Sequence, residues 1–326
     1  MFHTLLVPLD RSSLAEQAIG HAASIARESG ASIELVLVHE PFPFAGYADL
    51  PWDDMAAEQK YLDAVATDVE SGTHVSTTRT VLRGAPAETI VRRAREIGAD
   101  LIVMTSHGRT GFSRTWLGSV ADAVMRKSAI PVLMLRPEHE TPNRRATRSG
   151  IQRLLVPLDG SGLAKSIVPA AADLARASHA AITLLRIVPI IPIMVAYEPT
   201  MPVTTLPVIP DEAATQQLVD DATTEIELVA KRIHEETGIA IEARAVVAEH
   251  AARAIVDEAE TRSIDVIAMS THGRGASRLL LGSVADKVLR ASRVPVLLYR
   301  PAERATTALT LDEAEVAKQL PSLVGE

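Results

Sequence analysis

Long-range self-similarity constrains this chain more than any single motif in it. Thr4–Asp10 (TLLVPLD) returns as Arg153–Asp159 (RLLVPLD), and Ala99–Arg109 (ADLIVMTSHGR) returns as Ile264–Arg274 (IDVIAMSTHGR). Leu117–Pro137 (LGSVADAVMRKSAIPVLMLRP) returns as Leu281–Pro301 (LGSVADKVLRASRVPVLLYRP), with 14 of 21 positions identical. A spacing of about 150 residues is far too long for a solenoid repeat and matches the size of one domain. The chain therefore reads as two copies of a domain, 1–137 and 151–301. A polar linker at 138–150 joins them, and a tail at 302–326 reads as weak helix or disorder.

Within a copy, short apolar runs alternate with longer amphipathic stretches. In the first copy the expected strands are Leu5–Leu9, Ile33–Val38, Thr77–Leu82, Leu101–Thr105 and Val132–Leu135. Between them, helices are expected over Ser13–Glu28, near Asp53–Glu70, near Ala87–Ile97 and from Gly118. Ser13 with Glu16 three residues on reads as a capping box. Pro41–Trp52 reads as irregular, and the second copy carries a long apolar, proline-rich insertion at Pro189–Pro210. Strands that are apolar throughout and alternate with helices call for a parallel sheet covered on both faces. The last strands, Val132–Leu135 and Val296–Tyr299, would leave apolar edges, and pairing them within one chain as a pseudo-dimer would cover both. Nothing specific calls for a further homodimer.

Composition narrows the function. Lys+Arg 33 against Asp+Glu 41 gives a net charge of −8, which argues against a nucleic-acid partner bound by broad phosphate neutralisation. Aromatics at 3% offer little for base stacking. The absence of cysteine removes disulfides and thiolate chemistry and suits a reducing cytoplasm. MFHTLLVPLD reads as a strand rather than a signal peptide. Arg186, Pro189 and Pro192 interrupt the most apolar stretch, Ala180–Tyr197, so no membrane span is expected.

A doubly wound parallel sheet binds ligands beyond the carboxyl ends of its strands, where strand order reverses. If the first strand neighbours the fourth, Asp10 and the loop TSHGRTGFSRTWLGS at Thr105–Ser119 face one crevice. Gly108 and Gly111 permit tight turns and close backbone approach. Gly118-Ser119 opens a helix whose free N–H groups attract an anion, and Asp10 suits ribose hydroxyls. Each residue also has a structural reading: the glycines as turns, Asp10 as part of a helix cap, His107 as backbone-positioning, Arg109 and Arg114 as solvated.

Sharper chemistries find no support. There is no G-x-x-x-x-G-K-[ST], and the first βα turn, Asp10-Arg11-Ser12-Ser13, lacks G-x-G-x-x-G. His234-Glu235-Glu236 has Gly238 where a zincin has its second histidine, and the other histidines are scattered. No G-x-S-x-G elbow appears. No catalytic constellation or metal site is assigned.

VPLD, Gly84-Ala85-Pro86 and SHGRTGFSRTWLGSVADAVMRKSAIPVL resemble the universal stress protein family in its tandem form. The resemblance implies two flavodoxin-like domains, related to the adenine nucleotide alpha hydrolases, each a five-stranded parallel sheet in the order 3-2-1-4-5. For members that bind ATP it implies a phosphate loop G-x2-G-x9-G-[ST]. On this chain the loop falls at Thr105, which departs from glycine, then Gly108 and Gly118-Ser119. Asp10 matches the adenosine-contacting acidic residue and Val38 the position whose backbone meets adenine. Pro8, Met104, His107, Arg109 and Val120 complete the implied pocket. In the second copy the places fall to Pro157, Asp159, Ile187, Met269, Ser270, His272, Gly273, Gly282, Ser283 and Val284. There the loop is one residue shorter, and Glu249-His250-Ala251 replaces the Gly-x-Pro. The expectation is a cytoplasmic ATP-binding regulator using Mg2+ and an unidentified protein partner. The alternatives are an interaction scaffold with decayed sites and a slow ATPase.

Overall fold

The computed structural model describes residues 2–40, 55–106, 117–137, 150–189, 212–271 and 282–300. The first copy runs β1 (Thr4–Leu9), α1 (Ser13–Ser29), β2 (Ser32–His39), α2 (Ala56–Thr73), β3 (Thr77–Arg83), α3 (Pro86–Glu96), β4 (Leu101–Thr105), α4 (Ser119–Lys127) and β5 (Val132–Leu135). The second runs β6 (Arg153–Pro157), α5 (Gly162–Lys165), α6 (Val168–Ser178), β7 (Ala181–Pro189), α7 (Glu212–Thr237), β8 (Ile241–Ala248), α8 (Ala251–Thr261), β9 (Val266–Ser270), α9 (Ser283–Ala291) and β10 (Val296–Tyr299). Pro41–Trp52, the linker beyond Pro137, the insertion after Pro189 and the tail after Arg300 lie outside the described residues.

The strand order β3-β2-β1-β4-β5-β10-β9-β6-β7-β8 makes one ten-stranded sheet, and each half repeats the order 3-2-1-4-5. Every pairing is parallel except β5 with β10, where Leu133 faces Leu297 antiparallel. These two residues occupy equivalent positions in the copies, so a local twofold passes between them. Arg136 Nη1 donates to the carbonyl of Arg290 (3.5 Å), and Arg300 Nη1 donates to that of Arg126, the equivalent pair reversed. The two apolar last strands thus shield one another.

Period-two alternation along buried strands sends side chains to two cores, one on each face. Leu5, Val7, Ile33, Leu35 and Val103 pack under α1 and α2, together with Leu154, Val156 and Leu184 of the second copy. Leu6, Val36, Ile102 and Met104 pack under α3 and α4, with Leu155, Ile267 and Met269. Each fully buried Leu or Ile contributes about 1.5–3 kcal/mol. At the amino end of the sheet, Asp100 Oδ2 accepts from the N–H groups of His3 (2.6 Å) and Thr4 (3.0 Å). Asp265 does the same for Gln152 (2.8 Å) and Arg153 (2.9 Å).

Two local expectations need correction. The cap of α1 is Ser12, whose Oγ accepts from Ala15 N–H (3.1 Å), so Ser13 is already helical and makes no capping box. Glu16 instead accepts from Tyr61 Oη (2.7 Å). In the second copy the equivalent helix is broken in two. Pro169 stands where α1 has Gly20, and its missing N–H separates α5 from α6.

Candidate ligand site at the strand carboxyl ends

The sheet opens where its strand order reverses. β1 pairs with β4 at Leu5–Leu101 and Leu6–Ile102, although β1 runs on to Leu9 and β4 to Thr105. Pro8, with no N–H to offer a ladder, stands in this parted stretch. The second copy opens at the same place: β6 pairs with β9 at Leu154–Val266 and Leu155–Ile267, and Pro157 follows.

Alternation decides which side chains border the opening. Met104 lies in the core on the α3–α4 face, and Val38 and Val120 pack against it; Pro8 follows Leu6 onto that face, with Asp10 at the tip of the strand. In the second copy Met269 and Ile187 take those places, but Val284 is exposed rather than packed. Thr105 follows Val103 onto the other face, and Ser270 shows the consequence, its Oγ lying 3.4 Å from Ser166 Oγ beside α5. Their side chains are buried away from the opening, which leaves their backbone as its border. His107, Gly108 and Arg109, like Gly111, Arg114, His272 and Gly273, lie outside the described residues.

One lip is a carboxylate held in a fixed orientation. Asp10 Oδ1 accepts from Ser12 N–H (3.0 Å) and Ser12 Oγ (2.5 Å), and Ser12 in turn caps α1. Asp159 holds Ser161 in the same way (2.9 and 2.5 Å). The turn needs a left-handed residue between the two, which is Gly160 (φ 83°) in one copy and Arg11 (φ 68°) in the other. The other lip is a helix start. Gly118 N–H donates to the carbonyl of Ser106 (2.8 Å), and Gly282 N–H to that of Thr271 (2.7 Å), which ties each helix to the end of its strand. The first intrahelical bond of α4 comes from Asp122 N–H (2.9 Å), so the N–H groups of Ser119, Val120 and Ala121 precede the ladder. Glycine at the cap has no side-chain oxygen to give them, and the helix dipole adds a partial positive charge. An oriented acceptor, an apolar wall and a helix start fit a nucleoside carrying phosphates.

Ser12, Ser161, Ser106 and Thr271 are positioning residues that reading by motif passed over. Their signal was present only as the repetition of D-x-S and of the pair preceding His-Gly in both copies.

Behind the first copy's turn lies a polar cluster absent from the second. His39 Nδ1 is 3.3 Å from Glu58 Oε1, and Arg11 Nη1 is 3.9 Å from the same oxygen. Burial, then the hydrogen bond to Glu16, raises the pKa of the Tyr61 phenol above its ordinary value. A raised pKa stabilises the fold fully below the unfolded value of about 10, and that contribution is lost as pH rises beyond it. Tyr61→Phe should therefore flatten the alkaline decline of stability, which melting temperatures above about pH 10 will measure. A decline equally steep in both proteins would remove Tyr61 from the alkaline transition.

Elsewhere, a cavity of about 500 Å3 at the amino end of the second copy's strands is lined by Arg153, Thr183, Glu242, Arg262 and Ile264. Arg262 meets Glu242 with two bonds (2.7 and 2.8 Å), so its charge is satisfied within the protein. Among the described residues no cluster of three metal-ligating side chains occurs, and no helix is long and apolar enough to cross a membrane.

A model of the universal stress protein family matches residues 1–136 and 150–300. A universal stress protein of Methanocaldococcus jannaschii is 34% identical over 143 residues, 42% of this chain and 83% of that protein. One of Mycobacterium tuberculosis is 27% identical over 217 residues, 66% of each chain. In fold, the chain resembles the crystal structure of a universal stress protein from Archaeoglobus fulgidus at a TM-score of 0.65 and 20% identity, covering 92% of this chain and 97% of that one.

Proposed function

The chain belongs to the universal stress protein family, and on that premise we propose that it binds ATP with Mg2+ and works as a cytoplasmic, nucleotide-responsive regulator rather than a turnover enzyme. The adenine would rest against Val38 and Met104 and the ribose would meet Asp10. The first turn of α4, with Gly108 and Arg109 of the loop before it, would receive the phosphates. One observation carries this reading: the strands part at Pro8 between an oriented carboxylate and an uncapped helix start, and the same arrangement is built twice. Regulation follows if ATP binds two conformations with different affinity and so shifts their populations toward a partner. The second copy is the weaker site in this reading, because Val284 leaves the apolar wall and Glu249-His250 replaces the compact Gly84-Ala85 turn.

Isothermal calorimetry and thermal melting with ATP test the reading. Saturating ATP should raise the melting temperature. Asp10→Ala should weaken binding by about tenfold or more, about 1.4 kcal/mol, and Asp159→Ala by less. Absence of both heat and melting shift at millimolar ATP would end the nucleotide reading and leave that of an interaction scaffold.

A further inference from the structure

The duplicated chain supplies its own control for the polar cluster behind the first site. Counting along the shared strands and helix ends, Arg11, Glu16, His39, Glu58 and Tyr61 correspond to Gly160, Lys165, Val188, Ala222 and Glu225. The core positions of α2 keep their character across the copies, Leu62, Ala66 and Val69 becoming Ile226, Ala230 and Ile233, all buried. What changes is the set of polar groups that ties the helix to the β1–α1 turn.

In the first copy two straps make that tie. Glu58, in the first turn of α2, has only 12% of its side chain exposed, and it faces both His39 at the end of β2 and Arg11 in the turn. One helical turn on, Tyr61 Oη donates to Glu16 in the first turn of α1. In the second copy the corresponding helix has alanine in place of Glu58. Glu225 lies 3.7 Å from Arg186 of β7, whose Nη1 donates to the carbonyl of Leu158 (3.4 Å). Through Arg186, α7 reaches the carbonyl that precedes Asp159 and not residue 160, which is glycine.

Arg11 is the informative residue. It adopts a left-handed backbone that the second copy gives to glycine, the residue for which that conformation is unstrained. Strain of this kind at a ligand-facing turn persists when surrounding contacts hold it in place, and the contact here is the buried carboxylate of Glu58. The same three-residue turn carries Asp10 on one side and Arg11 on the other. A ligand that binds Asp10 therefore acts on a segment already fastened to α2.

We propose that Arg11 transmits occupancy of the first site to α2 through Glu58, a route the second copy does not share because residue 160 is glycine and residue 222 alanine. The proposal rests on the nucleotide reading, and it assigns the response of α2 to this one contact. Coupling of this sort needs an element with two arrangements that ligand biases differently. The two arrangements are α2 strapped to the turn and α2 released from it.

Hydrogen exchange of the full chain with and without ATP, with calorimetry on the same samples, tests this. In the native protein ATP should change exchange in the first two turns of α2 by about threefold or more. Arg11→Gly keeps the turn, as Gly160 shows it can. It should retain ATP affinity within about threefold and lose the response of α2. Glu58→Gln should lose that response as well, through the other end of the strap. If ATP binds by calorimetry and α2 responds equally in the native protein and both variants, or in none of them, the proposal is overturned and the nucleotide reading survives. If no ATP binds, both fall together.

Discussion

Arg93→Met is expected to lower the unfolding free energy by about 3–5 kcal/mol, because it strands a buried carboxylate. Glu34 sits in β2 with 6% of its side chain exposed, the one polar residue between Ile33 and Val38. Its Oε1 accepts from Arg93 Nε (2.7 Å) on α3 and from Thr80 Oγ1 (3.0 Å) on β3. The hydrogen bond to Glu34 raises the pKa of Arg93, outweighing the opposite effect of burial. Without Arg93 the carboxylate keeps one neutral donor, and the desolvation cost already incurred is no longer offset. The pair Glu34→Leu with Arg93→Met removes both charges, and it should recover at least about 2 kcal/mol of the loss, since a buried ion pair is often replaceable by apolar groups. Denaturant unfolding of the two variants decides the matter. A single-variant loss under about 1 kcal/mol would mean that water reaches Glu34.

The second copy shows that this charge pattern is not required by the fold. Its equivalents of Glu34, Arg93 and Thr80 are Thr183, Glu258 and Arg244, so the buried acid has moved from the strand to the helix. Glu258 there accepts from Arg244 (2.6 Å) and Arg262 (2.6 Å). The second copy thus pairs an acid on the helix with an arginine on the neighbouring strand, and Arg262, where the first copy has Ile97, completes its contact.

Replacing His74, His179 and Ser263 together by glycine should stabilise the chain by about 1.5–3 kcal/mol. Each residue follows a helix in the left-handed region, at φ 58°, 50° and 52°. The equivalent positions in the other copy are Gly238, Gly30 and Gly98, at φ 69°, 73° and 61°. The backbone is therefore the same in both copies, and the duplicate already carries the unstrained residue. Side chains with a Cβ cost about 1–2 kcal/mol there, partly offset by the greater freedom of glycine in the unfolded chain, for a net gain of about 0.5–1 kcal/mol each. The three sites are far apart in the chain, and among the described residues no hydrogen bond or ion pair joins them, so the gains should add. A combined gain below about 0.5 kcal/mol in the unfolding free energy from denaturant melts would show that these turns are not under strain.

Much of the architecture was legible because it rests on local periodicity. Leu101–Thr105 and Val132–Leu135 are strands at the residues where the apolar runs begin and end, and Gly118 stands at the start of its helix. The helix expected near Asp53–Glu70 lies at Ala56–Thr73, a shift within what amphipathic spacing resolves. The cap moved from Ser13 to Ser12 because Asp10 turns the chain onto Ser12, a bond between neighbours that pattern matching does not weigh. Thr105 was placed by motif, yet strand alternation turns its side chain to the opposite face.

By itself the sequence determined that this chain is one domain made twice, with an Asp turn and a Gly-Ser helix start in each copy. Repetition and two-residue or helical periods are written along the chain, and so they can be read from it. Only the tertiary structure decided that Leu133 and Leu297 join the copies, that Asp10 is oriented by Ser12, and that Arg11 reaches Glu58. Those contacts depend on side chains from separate elements meeting within hydrogen-bond or ion-pair distance, which packing sets and linear spacing does not record.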